Sequence, residues 1–181
     1  MPEHDLVALW EDHTRHEFET RDTDATMATM VAEPYVNHIP TLTGGVGHDQ
    51  LKRFYRYHFI GCNPPDMTLT PVSRTVGTDS LVDEMLIAFT HTCAIDWLLP
   101  GVTPTGRRVE VPLVAIVRFQ DGKLVHEHIY WDQASVLVQV GLLDPAGLPV
   151  AGVAQARKAL DKTLPSNALM PNWASSAGKP L

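Results

Sequence analysis

The spacing of apolar residues changes once along this chain, at Asn63-Pro64-Pro65, and that change constrains the fold more than any other feature. Before it the period is helical. Leu6, Leu9, Trp10, His13 and Glu17 recur at helical spacing, which leaves Arg15, Glu19 and Arg21 for wet faces. A second short helix is predicted from Ala25 to Val31, with Asp24 as its N-cap, Met27, Met30 and Val31 facing the core, and Pro34 ending it. Tyr35 to Ile39 reads as a short strand closed by Pro40, and Thr43-Gly44-Gly45 as a loop. Leu51, Phe54, Tyr55, His58 and Phe59 then form the apolar stripe of a third helix, which Gly61 and the two prolines stop.

Beyond the prolines the period is two. Met67 to Val76 is a strand in which Pro71 marks an edge or a bulge. Leu81 to Leu98 is long enough for a strongly bent strand, and Pro100 to Gly106 is a loop. Arg107 to Phe119 and Lys123 to Gln133 are two further strands joined by the hairpin signal Asp121-Gly122, and a short helix follows over Ala134 to Val140. Helices first and strands afterwards predict an α+β fold, with three N-terminal helices packed on an antiparallel sheet. From Gly141 on, the chain is rich in Pro, Gly, Ala and Ser, with one helical stretch near Val153 to Leu160. The division expected is a domain over 1–142 and a C-terminal extension over 143–181 that wraps the domain or a partner subunit.

Composition removes several function classes. A chain of 181 residues with a formal net charge of −7 and no basic cluster repels phosphate backbones, so neither nucleic acid nor an anionic membrane is an expected partner. The opening Met1-Pro2-Glu3-His4-Asp5 is polar and leads into no apolar segment, so no secretory signal is read there. No apolar run approaches the length of about 18 residues that a membrane span needs, and a cytoplasmic location is the expectation. Cys62 and Cys93 read as incidental buried thiols. The Gly44, Gly45 and Gly47 cluster lacks the ending of a phosphate loop, and no Gly-x-Ser-x-Gly nucleophile elbow occurs.

Several stretches, taken in order, resemble one family. Phe119-Gln120-Asp121-Gly122-Lys123, then Trp131-Asp132, then Leu137-Val138-Gln139-Val140-Gly141 is similar to the C-terminal signature of SnoaL-like polyketide cyclases, members of the NTF2-like superfamily. Tyr35-x-Asn37-His38-x-Pro40, Gly47, the helix Leu51 to Phe59, Thr90-His91-Thr92 and Pro104-Thr105-Gly106-Arg107 resemble its earlier parts. The resemblance covers residues 5 to 142, while the loop at Trp97 to Thr103 and the tail depart from the pattern. It implies a cone, in which a curved sheet wraps the helices around an apolar pocket. It also implies ring closure by aldol-type chemistry with no metal or cofactor, and a homodimer paired through the outer sheet face. Asp132 falls on the position of the family's acid/base Asp.

Alternation along the last strand puts His126, His128, Tyr130 and Asp132 on one face, and Val125, Glu127, Ile129 and Trp131 on the other. Proton removal beside a carbonyl needs a base and a donor for the enolate oxygen. Asp132 is the candidate base, with His128 and Tyr130 as the first donors. The same position is also a favoured N-cap for the helix that follows. Candidate ligand contacts are Tyr35, Asn37, His38, His91, His58, Tyr55 and Glu84, with His58 on the apolar stripe of its helix read first as a core histidine. Ile129 and Trp131 would supply the apolar dimer surface. Two rival readings stand beside this one. The chain could be a non-catalytic ligand-binding or assembly domain. It could also be a metal enzyme using His126 and His128, with a third ligand from His38, His91 or Glu84.

Overall fold

The computed structural model of the chain describes residues 5–180; the stretch 1–4, in which no secretory signal was expected, and residue 181 lie outside them. Helix α1 (Leu6–Phe18) starts where one carboxylate oxygen of Asp5 accepts the amides of Val7 and Ala8. It buries Leu6, Trp10, His13 and Glu17, so two of its four buried positions are ionisable. Helix α2 (Thr23–Ala28) is capped by Asp22 rather than Asp24, which is exposed and pairs with Lys52 and Arg56. It ends earlier than expected. The chain is extended again from Met30, and Pro34 lies inside β1 (Met30–His38), close to a shift of strand register.

Strand β2 (Thr43–Val46) folds back on β1 where a loop was expected. Helix α3 (His48–Phe54) runs on into a π-helical turn, Tyr55–Phe59. Such wide turns recur at functional sites, and this one buries Tyr55 and Phe59 together. In β3 (Thr68–Val76) the register slips between Pro71 and Ser73, the irregularity that proline in the strand pattern predicts. Strand β4 (Ser80–Thr90) stops earlier than the expected Leu98. Ile95, Trp97, Leu98 and Leu99 instead tuck into the core. The Thr41 and Thr43 hydroxyls donate to the Trp97 carbonyl, and the Trp97 indole donates to Asn63.

Strands β5 (Arg108–Gln120) and β6 (Lys123–Trp131) meet in a two-residue hairpin. Asp121 and Gly122 both take positive φ there, 51° and 75°, as that turn requires. Helix α4 (Gln133–Gln139) follows, and α5 (Ala154–Leu160) packs on β5 with Ala156 fully buried. The sheet runs β2-β1-β6-β5-β4-β3, antiparallel throughout except that β1 lies parallel to β6, so the expected antiparallel sheet is a mixed one. On β6 the buried residues are Leu124, Glu127, Ile129 and Trp131. Among the described residues no helix is long and apolar enough to cross a membrane.

Candidate active site

Helix α1, the π-helical turn and the inner faces of β1, β4, β5 and β6 enclose a cavity of about 170 Å³. An apolar hollow of about 150 Å³ can hold benzene, which sets the scale of a ligand here at one ring. Phe18, Phe59, Trp97, Ile87, Leu113 and Ile129 make most of its wall apolar. The lining residues that keep some exposure, Thr14 and Phe18 of α1 and Leu69, Pro71 and Arg74 of β3, place its mouth between that helix and the edge strand.

The floor is polar. Glu17, Tyr55 and Glu127 line it, His13 stands directly behind them, and all four are buried. His13 Nε2 lies 3.2 Å from Glu17 and 3.1 Å from Glu127. The Tyr55 hydroxyl donates to Glu127 at 3.2 Å and lies 3.4 Å from His13 Nε2. On its other side His13 Nδ1 meets Thr29 Oγ1 at 2.6 Å, and that hydroxyl donates to the Thr26 carbonyl. The Thr29 oxygen is therefore an acceptor, and Nδ1 carries a hydrogen.

These contacts set the protonation states. Burial alone would depress the His13 pKa, but the Glu17 and Glu127 carboxylates outweigh it and hold it at about 10. Burial raises the pKa of Glu17, opposed by His13 and reinforced by Glu127. Burial also pushes the Tyr55 phenol well above its usual value, with both glutamates adding to the effect. The floor thus holds a phenol O–H, a carboxyl that retains its proton more readily than usual, and a second carboxylate, within reach of one imidazolium.

Two further polar features line the cavity. At the mouth, Arg74 donates twice to Asp83, at 3.1 and 3.0 Å, and the Trp10 indole donates to the same carboxylate at 2.8 Å. Arg74 also reaches Glu11, so the guanidinium is well engaged. Deeper, His38 packs among Phe54, Phe59, Trp97 and Trp131. Burial lowers its pKa to about 4 against the pull of Glu127, so the ring is neutral at physiological pH. Its Nδ1 donates to the Thr43 carbonyl, which leaves the lone pair on Nε2.

The structure brings two of the expected residues, Tyr55 and His38, to the cavity. It overturns the placement of most others. Asp132 caps α4: its carboxylate accepts the Ser135 amide at 3.2 Å and the Ser135 hydroxyl at 2.6 Å, and it is not among the lining residues. His128 and Tyr130, with Tyr35 and Asn37 of the neighbouring strand, belong to the outer face, because strand alternation gives the interior to the apolar set. Ile129 and Trp131 are accordingly buried and cannot form the exposed dimer surface expected of them. Glu84 is half-buried and accepts from Ser73, while its neighbour Asp83 faces in. His58 is neither core nor cavity; it pairs with Asp96 at 3.1 Å. His91 is buried beside Thr105 and off the lining. His126 and His128 stack on each other with centroids 4.6 Å apart. Cys62 and Cys93 are half-buried free thiols.

Sequence reasoning passed over His13, Glu17 and Glu127. The signal was present for the first two. A histidine and a glutamate inside the apolar stripe of a helix are buried polar groups that need a reason.

Leading helices, a bent mixed sheet and a walled cavity between them define an NTF2-like α+β domain. The chain belongs to the SnoaL-like family, whose model matches residues 10–127. Its fold is shared with TsrD from Streptomyces laurentii, at 20% identity over 76% of this chain and 96% of that one, with a TM-score of 0.60. A candidate SnoaL-like polyketide cyclase from Jannaschia sp. CCS1 is similar at 20% identity over 80% and 97% of the two chains, with a TM-score of 0.57. AclR, a candidate hydroxylase from Streptomyces galilaeus, is similar at 21% identity over 76% and 96%, with a TM-score of 0.58. No curated protein matches the sequence.

Proposed function

We propose that the chain is an acid/base enzyme that takes a small, mainly apolar carbonyl compound into the cavity and moves a proton beside the carbonyl. Cyclisation, isomerisation and dehydration all begin that way. The observation that carries this reading is the pairing of the Glu127 carboxylate and the Tyr55 hydroxyl, 3.2 Å apart, on the floor of an otherwise apolar hollow. Glu127 is the base. Tyr55 turns its O–H from Glu127 to the substrate oxygen as negative charge develops there, and Glu17, which keeps its proton more readily than usual, is a second donor. His13 balances the charge of the carboxylates. Low polarity around these groups strengthens each of the interactions.

The test is proton exchange. Ring-sized ketones and enones are incubated with the protein in D2O, and deuterium at the α-carbon is read by mass spectrometry. The reading expects exchange on at least one ring-sized compound, lost in Glu127→Gln. Absence of exchange across the panel, or exchange undiminished in that variant, would remove it.

A second reading is a ligand-binding domain without chemistry. The mutual satisfaction of all four floor groups favours it, since none is left waiting for a substrate. Tight binding of a ring compound with no exchange would select it. Either reading accommodates a homodimer through the outer sheet face, where Ile116 and Tyr130 are exposed. A monomer in sedimentation at high concentration would exclude that dimer.

A further inference from the structure

We propose that the floor of the cavity is also a site for one divalent transition-metal ion of the zinc class, bound by His13 Nε2 and by one carboxylate oxygen each from Glu17 and Glu127. Tyr55 or a water supplies the fourth donor. The assignment stands on geometry alone. Its consequence for activity rests on the function proposed above.

Thr29 Oγ1 gives its own hydrogen to the Thr26 carbonyl and so accepts from His13 Nδ1. That leaves Nε2 facing two carboxylates. A bare lone pair facing two bare carboxylates would be repelled from both sides, so a hydrogen, carried on Nε2 or on a facing oxygen, or a metal ion belongs between them.

The distances favour room for the second. A charge-assisted N–H···O bond closes to about 2.7–2.9 Å. Nε2 instead stands 3.2 Å from Glu17 and 3.1 Å from Glu127, with the Tyr55 oxygen at 3.4 Å. One proton can point along only one of these three directions. Ligands at metal bonds of about 2.0–2.1 Å in a tetrahedron are separated by about 3.3 Å. The Nε2 contacts match the edges of an ion's ligand shell, and at 3.1 and 3.2 Å they also stand at the long end of the N–H···O range.

The surroundings are built for it as well. The three ligand atoms lie within 4.8 Å of one another, and all three residues are buried. The Thr29 contact to Nδ1 is the outer-shell hydrogen bond that fixes the ring of a ligating histidine. One imidazole and two carboxylates suit zinc, manganese or ferrous iron better than soft ions, and no thiol lies in the group. By contrast, among the described residues the stacked pair His126 and His128 belongs to no group of three ligands. Loading releases protons: the ion takes the Nε2 lone pair, the Nε2 proton and any proton held on Glu17 leave to water, and one oxygen each of Glu17 and Glu127 is committed to the metal. A loaded floor therefore has no free base, and zinc turns proton transfer off.

The experiment titrates the chelator-treated full chain with Co(II). The expected result is one equivalent bound, the visible d–d bands of a four-coordinate centre, no thiolate charge-transfer band, and displacement by zinc. Glu17→Gln and Glu127→Gln should each weaken binding tenfold or more, while the double variant His126→Ala, His128→Ala binds as the parent does. Circular dichroism checks that each variant is folded. Should the glutamine variants not fold, Thr29→Val decides the matter, with affinity expected to fall by roughly 10–100-fold. No saturable spectrum in the parent, a spectrum untouched in the folded floor variants, or one lost with His126 and His128 would overturn the site. Zinc that binds at this floor without stopping α-proton exchange would leave the site standing and contradict Glu127 as the base.

Discussion

Glu127 and Asp132 belong to one stretch of chain, the second half of β6 and the residue after it, and each carboxylate sits in a hydrogen-bonded cluster. Glu127 meets His13 and Tyr55 at 3.1 and 3.2 Å on the floor of the cavity. Asp132 meets the Ser135 amide and hydroxyl, and that hydroxyl in turn accepts the Gly152 amide at 3.0 Å. The second cluster caps α4 and lashes the C-terminal segment down. The first joins helix to sheet across a void. Hydrogen bonding does not separate the two acids; what separates them is which of them borders empty, apolar space. The outer cluster has local partners within three residues plus one glycine, whereas the floor draws on α1, the π-helical turn and β6 together.

The sharpest way to break this contrast is to neutralise each acid in turn. Glu127→Gln is expected to lower α-proton exchange by about 10²–10⁴-fold, the usual worth of a positioned base. Asp132→Asn should leave exchange within a small factor of the parent, because asparagine also caps helices. Equal losses in the two would collapse the distinction.

Stability gives the next test. Replacing His13 by leucine leaves two buried carboxylates without their cation, a change that costs about 3–5 kcal/mol in comparable buried pairs. Urea unfolding at pH 7 reads it, and a loss under 1 kcal/mol, which is about the worth of an exposed pair, would mean that the floor is wet.

A smaller effect follows from His38, whose pKa is lowered to about 4 from an ordinary 6.5. The folded chain refuses a proton that the unfolded chain accepts below pH 6.5. Its contribution is therefore fully present above that pH and is lost as pH falls toward 4, by about 3 kcal/mol in all. The difference in unfolding free energy between the parent and His38→Leu should shift by that amount between pH 7 and pH 4. A difference that does not change with pH would place His38 in contact with water.

The smallest effect belongs to the outer cluster. Ser135→Ala removes the link between Asp132 and Gly152, and should cost about 1 kcal/mol while speeding proteolysis after residue 143. Unchanged cleavage would show that α5 on β5 holds the extension by itself.

Most of the fold was legible because its signals are local. The change of period at the prolines, the Asp121-Gly122 turn and the irregularity at Pro71 each act within a few residues. Strand β2 was missed because the paired glycines at the centre of Thr43-Gly44-Gly45-Val46 read as a loop, and the stretch owes its conformation to pairing with β1. The parallel meeting of β1 with β6 is likewise a long-range fact. From His126 on, alternation on β6 sorted its residues into the two correct sets, yet the set holding Asp132 was sent inward. Burial of Ile129 and Trp131 decides the matter the other way, since an apolar pair on one parity belongs to the core. The floor itself was half visible, as His13 and Glu17 stand in the apolar stripe of α1. Their meeting with Glu127 and Tyr55 crosses more than 40 positions of sequence, which no spacing rule spans.

The proposed function places the chemistry where Glu127 and Tyr55 meet. A crystal structure of the Glu127→Gln variant, grown with a ketone that the parent exchanges, tests it most directly. The carbonyl oxygen is expected within hydrogen-bond reach of the Tyr55 hydroxyl, with the exchanging carbon against the residue 127 side chain. A ketone seated beside His128 and Tyr130 on the outer face, or an empty cavity at saturating ketone, would contradict it.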